Sequence, residues 1–64
     1  MDHRFKNVIA HLDTHARVHA SNARNPHHTM DDRQLAVYLT LEFCDAIRAL
    51  GGEPSEGTHI QDVL

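Results

Sequence analysis

The chain has no tryptophan, one tyrosine and two phenylalanines among its 64 residues, and a single cysteine, Cys44. One cysteine excludes an internal disulfide, and so few aromatics leave only a thin core. Glycine and proline are scarce at three and two residues, which excludes a Gly/Pro-rich low-complexity chain. The longest apolar run, Leu35-Ala36-Val37-Tyr38-Leu39, falls far short of the roughly 20 residues that cross a bilayer. No membrane span is therefore expected. The segment from Met1 to Asn7 lacks the apolar stretch of a signal peptide, and a lone cysteine without an export signal points to the reducing cytoplasm. No basic stripe is present and the net charge is −3, which disfavours nucleic acid as a partner.

What the chain does have is ordinary for a folded protein, with 41% hydrophobic and 23% charged residues. A domain of this length buries only about 60% of the surface its unfolded form exposes. Below about 70–80 residues a stable fold usually needs a staple. With no disulfide available, the staple is a metal, a partner or a second copy of the chain.

Histidine is the abundant residue, with seven, at positions 3, 11, 15, 19, 27, 28 and 59. Six lie in the first 28 residues. Charge is lopsided too: residues 2–33 carry +1, whereas residues 34–64 carry −4, because Arg48 stands alone there against Glu42, Asp45, Glu53, Glu56 and Asp62. Protonating all seven histidines would take the chain from −3 to +4.

The pattern predicts an all-α chain: a two-helix antiparallel hairpin with a short C-terminal segment, assembling into a helical-bundle homo-oligomer. Residues 3–21 contain no Gly or Pro, and at 100° per residue Phe5, Val8, Ile9, Leu12, Ala16 and Ala23 share one arc. A loop is expected over 22–29, because Asn22-Ala23-Arg24-Asn25-Pro26 contains turn formers and Pro26 biases Asn25 away from helix. Thr29-Met30-Asp31-Asp32 has the shape of a capping box, with acidic residues at the positive end of the helix dipole. The second helix is therefore expected over about 30–50, stopped by Gly51-Gly52, with Pro54 preventing a restart. The tail, 51–64, offers Ile60, Val63 and Leu64 at helical spacing for one docking turn.

On the second helix, Leu35, Ala36, Leu39, Phe43, Ala46, Ile47 and Leu50 form a broad face for the first helix. Val37, Leu41 and Cys44 fall on another side, which needs a second chain or the tail to cover it. They are the expected oligomer interface. The stretch Asp32 to Tyr38 also resembles, over seven residues, the acidic-cap, Leu-Ala-Val-aromatic segment of the Hha/YmoA group of small helical gene-silencing modulators. No functional residue is carried over from that group.

Three constellations bear on chemistry. The connection around Arg24, His27, His28 and Thr29, joined by Arg17, places donors at a helix N-terminus and so suggests an anion site. Such a site suits a phosphate or nucleotide-type ligand, or an acidic protein surface. The leading expectation is accordingly a small non-catalytic binding or regulatory protein, inhibitor-like, without a cofactor. His11, His15 and His19 recur every four residues on one helix face, and a pair of them could ligate Zn or another transition metal between subunits. All three cannot share one ion, because eight residues of helix span roughly 12 Å. Finally, Cys44 with a histidine, or His59 with Asp62, lacks the orienting third group that nucleophilic or acid–base catalysis requires.

Overall fold

The computed structural model of the protein describes residues 3–63. Two helices, α1 (Lys6–Arg24) and α2 (Met30–Ala49), pack as an antiparallel hairpin. A 3-10 turn, His3–Phe5, leads into α1, and a second one, Glu56–Thr58, interrupts the tail. There is no strand among the described residues, and the molecule measures 39 × 16 × 16 Å.

Local chemistry sets the boundaries of α2. The Thr29 hydroxyl oxygen accepts a hydrogen bond from the Asp32 amide at 3.1 Å, capping the first turn. At the other end Gly51 adopts a φ of +87°, open to glycine at little cost. Its amide donates to the Arg48 carbonyl at 3.0 Å while the Gly52 amide donates to Ile47 at 2.9 Å. That double bond pattern is a Schellman closure.

The first helix runs three residues beyond the expected position 21, to Arg24. Two interactions extend it: Ala23 is fully buried, and Arg33, reaching across from α2, donates from Nε to the Ala23 carbonyl at 2.9 Å. The connection shrinks to residues 25–29. Within it the Asn25 carboxamide oxygen accepts from the His27 amide at 2.9 Å and its carbonyl accepts from His28 at 3.2 Å, an Asx-type turn around Pro26.

The helix interface is built from small residues at three- and four-residue spacing. Ala16, Ala20 and Ala23 of α1 face Ala36, Thr40, Cys44 and Ile47 of α2, all buried. Short side chains let the two backbones approach closely. The buried Thr40 hydroxyl donates to its own helix, to the Ala36 carbonyl at 2.8 Å, so it costs no unpaired polar group.

The tail supplies what two helices cannot. Ile60 is buried in one cluster with Ala20, Ala23, Ala36 and Val37, and Val63 packs on its edge. Two expectations are corrected here. Val37 and Cys44, assigned to an oligomer interface, are each only 4% exposed within the single chain, because the tail and α1 cover them. Conversely Phe5, Val8 and Leu35, assigned to the core, are exposed.

Candidate functional site

The arginines expected to hold an anion are turned toward the tail. Arg24 donates from Nη1 to the Gly57 carbonyl at 3.4 Å and pairs through Nη2 with Asp62 at 3.3 Å. Arg17 pairs with Asp13 at 3.2 Å and its methylenes lie under Gly57. His27, His28 and Thr29 are exposed at the start of α2, but the Thr29 oxygen already serves as the helix cap. The structure therefore does not bring the five anion-site residues together as one positively charged pocket. Arg24 fastens the C-terminal segment, while the Arg17 guanidinium is paired within α1 and only its methylenes reach the tail.

The histidine row divides into a pair and a packing residue. His11 and His15 converge, Nε2 to Nε2 at 3.1 Å, with ring centroids 4.5 Å apart in an edge-on arrangement. The His15 ring stacks on Phe43 of α2 at 5.8 Å, nearly parallel, and His19 stacks on the same ring at 5.4 Å. No group of three or more His, Cys, Asp or Glu side chains converges on one point among the described residues. A metal here would draw two ligands from the pair and the others from solvent.

Of the remaining expected candidates, Cys44 is buried in the helix interface, where its thiol is a packing group. Asp62 is engaged by Arg24 rather than orienting His59.

A surface of which the sequence pattern isolated only Leu41 lies on the outside of α2. Asp31, Gln34, Tyr38, Leu41, Asp45 and Arg48 are all exposed, and their spacing alternates three and four residues, the repeat of a coiled-coil seam. Tyr38 is 59% and Leu41 40% exposed at its centre. Beside it runs a groove of 280 Å³ lined by Met30, Gln34, Val37, Tyr38, Leu41 and, from the tail, Val63. The signal was present in the sequence as the three–four spacing, but the apolar pair at its centre is outnumbered by polar members, so a hydrophobic wheel picks out Leu41 and not the rest of the stripe.

No helix among the described residues is long and apolar enough to cross a membrane. No protein-family model, curated protein or solved structure matches the chain. The short likeness from Asp32 to Tyr38 therefore carries no family assignment.

Proposed function

We propose that the chain is a small non-catalytic binding protein of regulatory type that works as a homodimer, paired through the outer stripe of α2. The observation that carries the pairing is the order of side chains along the stripe. In an antiparallel pair with its two-fold axis midway between Tyr38 and Leu41, Tyr38 meets the partner's Leu41, Gln34 meets the partner's Asp45, and Asp31 meets the partner's Arg48. Every position finds an apolar, hydrogen-bonding or oppositely charged counterpart. A parallel pair would instead stack Asp31, Asp45 and Arg48 each on its own copy, which costs free energy through like-charge contact.

Physical need supports the same reading. A hairpin whose interface is mostly alanine buries little apolar area, and a second copy is one of the few staples open to it. At the connection Arg17 and Arg24 are already engaged, by Asp13 and by the tail.

Sedimentation equilibrium over a concentration series, with circular dichroism on the same samples, tests the proposal. The parent chain is expected as a dimer, and Leu41→Asp as a monomer of unchanged helicity. A parent that stays monomeric throughout, or a Leu41→Asp chain that stays dimeric, overturns it.

A further inference from the structure

We propose that His11 and His15 form a chelating site for a divalent transition-metal ion of the zinc type, taken up through both Nε2 atoms. Four-residue spacing puts the two rings one above the other on α1, and their Nε2 atoms stand 3.1 Å apart. Two metal–nitrogen bonds of about 2.0–2.1 Å, meeting at an angle near tetrahedral or right, hold their nitrogens about 2.8–3.4 Å apart. The pair thus already has the separation a shared ion requires.

Preorganisation comes from α2. The His15 ring lies nearly parallel to Phe43, at 14°, so it is held in plane, and His11 meets its edge at 72°. A hydrogen bond at this separation needs one Nε2 to carry the ring proton and the other to accept it. Metal binding moves the ring proton of the donor to Nδ1, leaving a lone pair on each Nε2 and both Nδ1–H groups facing outward. Both histidines are exposed, so an ion reaches them without opening the fold, and water fills its remaining positions. His19 stacks on the same Phe43 ring but makes no ring-nitrogen approach to His15 like that of His11, so the proposed ligands are His11 and His15 alone. The Phe43 flank of α2 lies away from Tyr38 and Leu41, so this inference stands independently of the dimer.

Amide NMR of the tag-free chain, titrated with Zn²⁺ and separately with Mg²⁺, tests the site. Saturable shifts centred on residues 11–15 are expected with Zn²⁺ and none with Mg²⁺. His11→Ala and His15→Ala should each weaken Zn²⁺ binding at least tenfold, while His19→Ala leaves it within about twofold. His11 is on the surface, so His11→Ala keeps the fold and makes the comparison decisive even where His15→Ala disturbs the Phe43 stack. Absence of saturable shifts, or equal affinity in the His11→Ala chain, overturns the inference.

Discussion

One carboxylate ties the end of the chain to its first helix: Asp13 accepts the Ser55 amide on Oδ1 at 2.8 Å and faces Arg17 Nε through Oδ2 at 3.2 Å. Asp13 is on α1, yet its side chain is only 16% exposed because the tail covers it. Asp13→Ala strands a part-buried amide, and a loss of about 1–3 kcal/mol of stability is expected in urea unfolding. Asp13→Asn keeps an acceptor oxygen for Ser55 and should lose clearly less. The neighbouring hydroxyl is the control, since Ser55 Oγ is buried with no hydrogen-bond partner among the described residues; Ser55→Ala is expected to be neutral or mildly stabilising. An Asp13→Ala chain as stable as its parent would mean the clamp holds nothing.

Gly51 and Gly52 are adjacent but answer to different constraints. At Gly51 the backbone φ of +87° is what an added side chain would strain, with nothing within 4 Å of the new Cβ. At Gly52 the obstacle is contact: a Cβ would come within 2.8 Å of Ile9 Cγ2 and 3.1 Å of Ile47 Cγ2. Gly51→Ala is expected to cost about 1 kcal/mol and Gly52→Ala about 1–3 kcal/mol through overpacking. The two are separated by a second change. Ile9→Ala removes the clashing methyl groups, so Ile9→Ala with Gly52→Ala should be more stable than the sum of the single effects predicts, whereas Ile9→Ala with Gly51→Ala should be additive. Thermal unfolding of the parent, the three single variants and the two double variants gives the comparison.

Punctuation in the sequence placed both ends of α2, because Thr29 and Gly51-Gly52 act on the backbone within a few residues of themselves. The end of α1 was less visible for the opposite reason. Its last turn depends on Arg33 reaching from the second helix to the Ala23 carbonyl, an interaction no local pattern encodes. The same limit applies to Arg24: its basic character is plain in the sequence, but its partners in the tail, Gly57 and Asp62, lie 33 and 38 positions away. Val37 was misplaced because a two-helix wheel has only an inside and an outside, whereas Ile60 adds a third packing surface. The His11–His15 pair was legible, since four-residue spacing on a helix fixes it. The choice of that pair over His15–His19 was not, because it rests on which rings turn toward each other: the Nε2 atoms of His11 and His15 meet at 3.1 Å, whereas His19 lies against Phe43.

Charge order along α2 gives the most discriminating test of how two copies would meet. In the antiparallel arrangement Asp31 faces the partner's Arg48 twice per dimer, and each contact lies at an exposed rim. Rim pairs of this kind contribute about 0.2–1 kcal/mol each, so either Asp31→Arg or Arg48→Asp alone should weaken the dimer several-fold by setting like charges opposite each other. Combining Asp31→Arg with Arg48→Asp in one chain reverses the polarity of both rim contacts, sets opposite charges face to face again and should restore most of the parent affinity, with sensitivity to salt retained. Arg48 also lies 3.6 Å from Asp45 in its own chain, a contact that Arg48→Asp turns into repulsion in monomer and dimer alike. Helicity of the single variants at low concentration measures that part separately. Recovery in the doubly exchanged chain is specific to antiparallel pairing; failure to recover, with helicity intact, would exclude the Asp31–Arg48 register.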